Sequence, residues 1–304
     1  MSYVNNKLEK QSSLLYETIK KKPRAYGFEV TTRCPLNCVY CDRSSVNGGG
    51  EDVELDKLEQ VFHKVGANTN ILCGLGEATI HKQFNDIQMM LKGDAMLITS
   101  GSVRLDWKAM IAIGKIKYIA FSVDSPFKED MERISKGYCW DNLLCNLSQA
   151  RKQDKIFTMI NATINANNYM QLFELVKFAY MKGIRSISIN YPIMKDTSFI
   201  EEHSNEINQQ LTQIMEFAKK NLGMIVDSPN RYKCFANSSI VAYVDIKGNV
   251  YPCCYAYNEG YLVGNLEDET FDAIWQKDRY DNFKNGELCK ECMYNKILSL
   301  VRRV

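Results

Sequence analysis

From residue 25 onward, short apolar segments alternate with amphipathic stretches, and this alternation constrains the fold of the chain more than any other feature. We predict strands at residues 25–31, 70–75, 95–99, 118–124, 156–163 and 186–190. We predict helices at residues 54–65, 84–91, 105–113, 141–152, 169–182 and 204–221. Repeated β-α units of this kind imply a parallel sheet with helices packed outside it.

The number of units predicts how far the sheet can close. A complete barrel uses eight β-α units and about 250 residues. This chain has six units in about 200 residues, so we predict an α/β fold with an open, partial (β/α)6 barrel. We divide the chain into an N-terminal helix at 1–22, the barrel at 23–228 and a small C-terminal domain at 229–304. The last region contains a predicted β-hairpin at 241–252 and a helix at 271–275.

Composition restricts the class of protein. The sequence has 38 basic and 36 acidic residues, and its net charge of +2 gives no general attraction to nucleic acid or to anionic membranes. It has no apolar run of about 18 residues and no signal-like apolar segment at its start, so we expect a cytoplasmic protein. Its 11 cysteines among 304 residues are too few for a disulfide scaffold and indicate metal or redox chemistry.

Three of these cysteines, Cys34, Cys38 and Cys41, follow the first predicted strand with the spacing C-x3-C-x2-C. Ligands bind beyond the carboxyl ends of strands in a parallel α/β sheet, so these thiols lie where a site is expected. Three thiolates on one loop can hold three corners of a cubane [4Fe-4S] cluster and leave the fourth iron open. A zinc ion would need a fourth protein ligand, and none lies nearby in the sequence. The alternative is that the three are unrelated core thiols.

With this loop and several later segments, the sequence resembles the radical SAM superfamily. Members of that family bind a [4Fe-4S] cluster through this cysteine spacing in a partial barrel, and the open iron chelates S-adenosylmethionine (SAM). The segment G-L-G-E at 74–77, after the second predicted strand, is similar to the family's glycine-glycine-glutamate motif, although Leu75 interrupts the glycine pair. The segment T-S-G at 99–101, after the third predicted strand, resembles the family's threonine-asparagine-glycine segment.

The resemblance also implies which residues contact the cofactor. Ser122 and Arg133 match the serine and arginine that hold the methionine carboxylate, and Asn161 matches a polar contact of the ribose. Each has an alternative, because Ser122 and Asp124 could cap a strand end, Arg133 could be a solvated helix charge and Asn161 could bond within the protein. The implied SAM contacts are Tyr40, Gly74, Gly76, Glu77, Thr99, Ser122, Asp124, Arg133 and Asn161.

The C-terminal region contains a second group of cysteines. With its hairpin and a C-x2-C pair near the end of the chain, it resembles the SPASM/twitch extension of radical SAM enzymes, and most closely the shorter twitch form. The resemblance implies one auxiliary [4Fe-4S] cluster with the ligands Cys234, Cys253, Cys289 and Cys292. Neighbouring side chains on an extended segment point to opposite faces, so we predict that Cys254 is not a ligand, although it could exchange with Cys253. The alternative is a structural zinc site.

The resemblance implies an enzyme that cleaves SAM reductively to a 5′-deoxyadenosyl radical and removes a hydrogen atom from its substrate. An auxiliary cluster that accepts an electron favours a two-electron oxidation, and we expect a small sugar or aminocyclitol as the substrate. The implied partners are this small molecule or a short peptide, together with a flavodoxin- or ferredoxin-type electron donor. The sequence identifies neither the substrate nor a general base.

Three other functions remain open. A peptide-modifying member of the family often has an extra N-terminal domain, whereas only residues 1–22 precede the predicted barrel. A non-enzymatic iron–sulfur sensor or electron carrier would not need the segment at 74–77 or Ser122. An epimerase needs a thiol that returns a hydrogen atom, and the spare candidates are Cys73, Cys139, Cys145 and Cys254. In the absence of such a role we expect Cys73, Cys139 and Cys145 to be small buried residues.

Overall fold

The computed structural model describes residues 23, 25–41, 43, 50–192, 198–228, 241–253 and 262–275, in which strands and helices alternate. The strands are β1 (Ala25–Phe28), β2 (Asn37–Cys38), β3 (Thr69–Leu72), β4 (Asp94–Thr99), β5 (Ile116–Ser122), β6 (Ser135–Lys136), β7 (Phe157–Thr163), β8 (Ser186–Asn190), β9 (Ile225–Asp227), β10 (Val241–Val244), β11 (Asn249–Tyr251) and β12 (Gly264–Asn265). The α-helices are α1 (Leu55–Val65), α2 (Phe84–Met90), α3 (Trp107–Ile113), α4 (Lys128–Ile134), α5 (Trp140–Ala150), α6 (Leu172–Met181), α7 (Ser198–Glu202), α8 (Ser204–Phe217) and α9 (Phe271–Ile274). Single turns of 3₁₀-helix at Ala78–Ile80 and Tyr169–Gln171 and a π-helical turn at Ala218–Leu222 complete the elements.

Ten of the strands form one sheet in the order β12-β11-β10-β1-β3-β4-β5-β7-β8-β9. Every neighbouring pair from β10 to β9 is parallel, whereas β11 and β12 are antiparallel to their neighbours. β12 and β9 are the two edges of the described sheet. The prediction of an open, partial β/α barrel is therefore confirmed. In the described part of the chain, no helix is both long and apolar enough to cross a membrane.

The sheet extends beyond the six strands predicted for the barrel. β9 follows the sixth crossover helix, and the sequence analysis missed it because three residues are too few to show an alternating pattern. β10, the first strand of the predicted hairpin, pairs in parallel with β1, from Ala25↔Val241 to Phe28↔Val244. The hairpin thus continues the barrel sheet. The boundary predicted after residue 228 stays a prediction, and the helix predicted at 1–22 lies outside the described residues.

Helix α1 shows how the sequence covers the outer face of this sheet. Its apolar residues recur at helical spacing, and Leu58, Val61, Phe62 and Val65 are buried. The ring of Phe62 packs edge-on against Phe28 of β1, with 4.8 Å between the ring centroids. Burial of each large apolar side chain contributes roughly 1.5–3 kcal/mol. The helix ends at Gly66, whose φ of 63° lies in the left-handed region that glycine adopts without strain.

The alternation of β1 determines which side chains face the inside of the barrel. Tyr26 contacts Phe271 of α9 at a ring distance of 5.3 Å and Phe28 contacts α1, so both point outward. Successive side chains of a strand point to opposite faces, so Glu29 points inward and Gly27 occupies an inward-facing position. A Cβ atom at Gly27 would lie 3.2 Å from the sulfur of Cys73, which places that thiol on the inner face as well.

Candidate functional site

The cysteine loop lies at the carboxyl end of β1 and is held by the segment at 50–53. The amide of Thr32 donates to the carbonyl of Glu51 at 2.9 Å, and the hydroxyl of Thr31 donates to Asp52 at 2.7 Å. The guanidinium of Arg33 binds both carboxylate oxygens of Asp52, at 2.9 and 2.6 Å. A bidentate pair of this kind fixes orientation as well as position. The start of the loop is therefore ordered by contacts that do not involve the cysteines.

A second, two-stranded sheet lies within the cysteine loop: Cys34 precedes its strand β2, Cys38 lies on that strand, and Cys41 follows the turn after it. β2 pairs antiparallel with β6, so that Cys38 lies opposite Ser135. The Cys38 sulfur is 3.1 Å from the Ser135 hydroxyl, and the Cys41 amide donates to the Cys38 carbonyl at 3.1 Å. Burial raises the pKa of Cys38 to about 11, and the neighbouring thiols of Cys41 and Cys34 contribute to this shift. The three predicted ligands are therefore close enough to interact.

The donor set fits a cubane cluster held by three thiolates. Among the described residues, no three His, Cys, Asp or Glu side chains converge on one point as the ligands of a single metal ion would. A cubane needs no such convergence, because each thiolate binds a different iron. All three thiols are partly exposed rather than sealed in the core. Cys34 and Cys38 also pack partly against the apolar core, so the assignment of the three thiols as cluster ligands stays a prediction.

The segment at 74–77 contacts the cysteine loop directly, and its glycines explain the close approach. A Cβ atom at Gly76 would lie 2.1 Å from the carbonyl oxygen of Thr31, a separation that real side chains do not adopt. The next amide, of Glu77, donates to the carbonyl of Arg33 at 2.8 Å. Only glycine at position 76 lets the two loops touch in this way. The motif therefore packs against the loop that carries the predicted cluster ligands.

The carboxylate of Glu77 is buried and fully occupied by hydrogen bonds from the protein. It accepts from the hydroxyls of Thr99 and Ser100 at 2.7 Å each, and from the Ser100 amide at 2.8 Å. The Thr79 hydroxyl donates to it at 2.8 Å. Glu77 and Thr99 thus join two motifs that the sequence analysis treated as separate SAM contacts. In this structure their side chains bind each other, and their predicted contacts with SAM stay predictions.

Asp124 and Tyr40 form a second connection to the cysteine loop. The Tyr40 hydroxyl donates to one oxygen of Asp124, and the Thr163 amide donates to the other at 2.7 Å. Burial raises the pKa of Asp124 to about 6, although the bonds from Tyr40 and Thr163 lower it. Both residues were predicted to contact the cofactor. The structure shows that Asp124 attaches the tyrosine that precedes Cys41 to the ends of β5 and β7.

Of the remaining predicted SAM contacts, two face the inside of the barrel and one does not. Ser122 and Asn161 are opposite each other on β5 and β7, and both are half-buried. The side-chain oxygen of Asn161 accepts a hydrogen bond from the side-chain amide of Asn190 at 2.6 Å. The side chain of Arg133 is 60% exposed on α4 and pairs with Asp130. Its role in holding the methionine carboxylate stays a prediction. To bind that carboxylate, Arg133 would have to give up its ion pair with Asp130.

Only one predicted ligand of the auxiliary cluster is described. Cys253 follows β11 and is buried. Cys234, Cys289 and Cys292 lie outside the described residues, and so does Cys254. The predicted four-cysteine site therefore stays a prediction.

The spare thiols differ from the expectation that all would be buried. Cys139, the N-cap of α5, is exposed. Cys145, also on α5, is partly exposed and lies 3.3 Å from the guanidinium of Arg104. Cys73 faces the inside of the barrel, where burial and the nearby Glu29 carboxylate raise the pKa of its thiol to about 12. The expectation of burial was thus wrong for Cys139 and Cys145.

The sequence analysis missed Ser135, which lies 97 residues from Cys38. When Cys38 is an iron-bound thiolate it can only accept, so the Ser135 hydroxyl must donate. Hydrogen bonds to the sulfurs of a cluster help to set its reduction potential. Ser135→Ala is therefore expected to shift the midpoint potential of the core cluster to a more negative value. The negative charge that the cluster gains on reduction is then no longer stabilised by a hydrogen bond from the Ser135 hydroxyl to the Cys38 sulfur.

This shift can be measured by redox titration of the reconstituted protein, followed by electron paramagnetic resonance. The iron content should match that of the wild type, because Ser135 is not a ligand. A potential that is unchanged or more positive would contradict the assignment of this hydrogen bond.

Comparisons with known proteins identify the family of this chain. A family model described as the Radical SAM superfamily matches residues 28–199, more than half of the chain. A second model, SPASM, described as an iron-sulfur cluster-binding domain, matches residues 234–293. The chain belongs to the radical SAM superfamily. Its cofactors are accordingly SAM and a [4Fe-4S] cluster, with auxiliary iron–sulfur binding in the SPASM region.

Individual relatives are more distant. An S-adenosyl-L-methionine-dependent 2-deoxy-scyllo-inosamine dehydrogenase from Niallia circulans is 29% identical over 86 residues, which are 24% of this chain and 34% of that protein. Streptococcus suis SuiB bound to S-adenosylmethionine is 16% identical, with a TM-score of 0.68 over 94% of this chain and 76% of that one. The structure of anSMEcpe with bound AdoMet is 18% identical, with a TM-score of 0.71 over 91% and 88% of the two chains. At these identities the two structures establish the fold alone.

Proposed function

We propose that this protein uses SAM radical chemistry to remove two electrons from a small hydroxylated substrate, of the sugar or aminocyclitol type. The observation that carries the proposal is the pairing of β10 with β1, which attaches the hairpin leading to Cys253 directly to the strand leading to the cysteine loop. The partial similarity to an aminocyclitol dehydrogenase supports the choice of substrate. A short peptide is the alternative substrate.

The residues of the barrel mouth have separate tasks in this proposal. Cys34, Cys38 and Cys41 hold the core cluster, and the backbone of the 74–77 segment receives the amino group of SAM. Ser122 binds the methionine carboxylate of SAM and Asn161 contacts its ribose, from opposite positions on β5 and β7. When bound, the reduced cluster and SAM supply a 5′-deoxyadenosyl radical that abstracts a hydrogen atom. The protein positions the substrate and excludes other reactions.

Oxidation of an alcohol to a ketone removes a hydrogen atom, a proton and one further electron. The hydrogen atom passes to the deoxyadenosyl group, the proton to a base or to water, and the electron needs an acceptor held by the protein. We assign that acceptor to the auxiliary cluster of Cys234, Cys253, Cys289 and Cys292. The separate electron that reduces the core cluster and starts the cleavage of SAM comes from a flavodoxin- or ferredoxin-type donor. Val39 lies in the turn of the cysteine loop and is 57% exposed. This exposure supports close access of such a donor to the core cluster.

One observation favours epimerisation as a second candidate function. An epimerase must return a hydrogen atom from a thiol, and Cys73 is the spare thiol of the described residues that faces the inside of the barrel. Its raised pKa keeps the thiol protonated at neutral pH, which is the state that can donate a hydrogen atom. Cys145 lies on α5 beside Arg104, and Cys139 is exposed at the start of that helix, so the position of neither supports this role.

The two functions can be separated with one pair of variants. Replacing Cys289 and Cys292 by alanine is expected to stop product formation while some uncoupled 5′-deoxyadenosine is still made, because the substrate electron has lost its acceptor. Cys73→Ser is expected to leave the oxidation intact. Both are measured by mass spectrometry of product and 5′-deoxyadenosine, with circular dichroism as the control for folding, since metal ligands in a small domain contribute to its stability. Loss of product in Cys73→Ser, with solvent deuterium in the wild-type product, would instead establish the epimerase.

A further inference from the structure

Glu29 is a buried acid at the mouth of the barrel that belongs to none of the predicted motifs. It directly follows β1, points inward and is only 3% exposed. One oxygen of its carboxylate accepts a hydrogen bond from the Leu75 amide at 2.8 Å. Leu75 is the residue that interrupts the glycine pair of the 74–77 segment. A buried carboxylate is costly unless it is well paired, so a side chain of this kind calls for a specific role.

The shape of the 74–77 segment depends on this side chain. A Cβ atom at Gly74 would lie 2.7 Å from Cγ and 2.8 Å from Oε1 of Glu29. Both distances are shorter than real side chains allow. Gly74 is therefore glycine because Glu29 occupies the adjacent space, in the same way that Gly76 is glycine because of the cysteine loop. The two glycines of the motif are explained by two different neighbours.

Glu29 also contacts the hairpin of the C-terminal region. Its amide donates to the carbonyl of Val244 at 2.9 Å, and the Tyr243 hydroxyl and Ile246 amide favour the charged form of its carboxylate. Asp245, at the end of β10, repels that charge. One residue thus connects the predicted SAM loop on one side with the hairpin on the other.

The balance of these effects sets the protonation of Glu29 near neutral pH. Burial is the largest effect and raises its pKa to about 7, the hydrogen bond from Leu75 lowers it, the negative charge of Asp245 raises it further, and the nearby Tyr243 hydroxyl and Ile246 amide lower it. The titratable groups that face it are Cys73 after β3, Tyr243 and Asp245 of the β10 segment, and Tyr251 on β11.

We propose that Glu29 is a positioning residue whose carboxylate form holds the 74–77 segment against the hairpin in the geometry that binds SAM. This rests on the proposed role of the 74–77 backbone as the site of the SAM amino group. A hydrogen bond to a charged acceptor is roughly twice as strong as one to a neutral acceptor. SAM affinity therefore rises as the pH increases through the pKa of Glu29, and it falls when the acid is protonated.

The test is Glu29→Gln, which keeps the shape and the acceptor oxygen but imitates the protonated acid. SAM binding is measured by anaerobic calorimetry on the reconstituted protein at pH 6 and at pH 8. We expect wild type and variant to bind similarly at pH 6, and the variant to bind about five- to tenfold more weakly at pH 8. Any pH dependence of SAM itself is common to both proteins and cancels in this comparison. Equal affinity of the two proteins at pH 8 would overturn the proposal.

Two further variants make the result specific. Glu54→Gln changes an exposed glutamate at the start of α1 whose side chain makes no capping bond, and it should behave as wild type at both pH values. Asp245→Asn removes the charge that repels Glu29, so the midpoint of the pH dependence should move to lower pH even if Glu29→Gln fails to fold. An unmoved midpoint would count against the proposal. A wild-type protein that carries iron but binds no SAM would overturn the SAM assignment itself, which separates the two failures.

Discussion

Replacing Cys34, Cys38 and Cys41 together by alanine is expected to lower the iron content from about eight to about four atoms per chain, since each cubane holds four irons. The same variant should lose reductive cleavage of SAM altogether, because the proposed auxiliary cluster of Cys234, Cys253, Cys289 and Cys292 would have four protein ligands and no open iron. The effect on folding should be small, since the loop is also held by the bidentate pair of Arg33 and Asp52. Iron analysis and visible absorption spectroscopy of the anaerobically reconstituted protein measure the change.

The matched control replaces a cysteine of helix α5. Alanine at Cys145 should leave the iron content and SAM cleavage unchanged, because this thiol lies on α5 beside Arg104 and is in none of the predicted motifs. A triple variant that retained its full iron content and still made 5′-deoxyadenosine would show that the cysteine loop is not the core cluster site.

Gly76→Ala is the second change with a large expected effect. The new Cβ would meet the Thr31 carbonyl oxygen at 2.1 Å and its carbon at 2.7 Å, and both are backbone atoms that cannot rotate away. The cysteine loop and the 74–77 segment must then separate, which breaks the bond from the Glu77 amide to the Arg33 carbonyl. We expect a loss of stability of about 3 kcal/mol, at the upper end of the range for overpacking, together with loss of SAM binding.

The same substitution at Gly66 serves as the control for Gly76→Ala. A Cβ at Gly66 meets nothing within 4 Å, so only its left-handed backbone opposes alanine, at a cost of roughly 1–2 kcal/mol. Urea denaturation gives the two stabilities, and calorimetry gives SAM binding, which Gly66→Ala should keep. If Gly76→Ala bound SAM as the wild type does, the contact between the two loops would have no part in the site.

The sequence predicted the order of the barrel because each β-α unit carries its own local pattern. Helix α1 and strand β4 could be read from the spacing of their apolar residues alone. Strand β9 could not, because it is short, and the pairing of β10 with β1 could not, because it joins residues more than 200 positions apart. No local pattern records which distant strand completes a sheet edge.

The candidate site was predictable in its motifs but not in its connections. The cysteine spacing and the 74–77 segment were visible because each is a short, continuous pattern. The bonds that join them are long-range: Glu77 binds Thr99 and Ser100, and Cys38 lies against Ser135. Glu29 had one visible signal, a charged residue within an otherwise apolar strand. Its partner Leu75 occupies the position where the sequence departs from the family's motif.

We expect this chain to cleave SAM reductively at the cysteine loop. The most direct measurement is mass spectrometry of 5′-deoxyadenosine after anaerobic incubation of the reduced, reconstituted protein with SAM, with the Cys34, Cys38 and Cys41 triple variant as the blank. The wild type should form 5′-deoxyadenosine and an equal amount of methionine, and the triple variant should form neither. A wild-type protein with its full iron content that forms no 5′-deoxyadenosine, with or without candidate substrates, would contradict it.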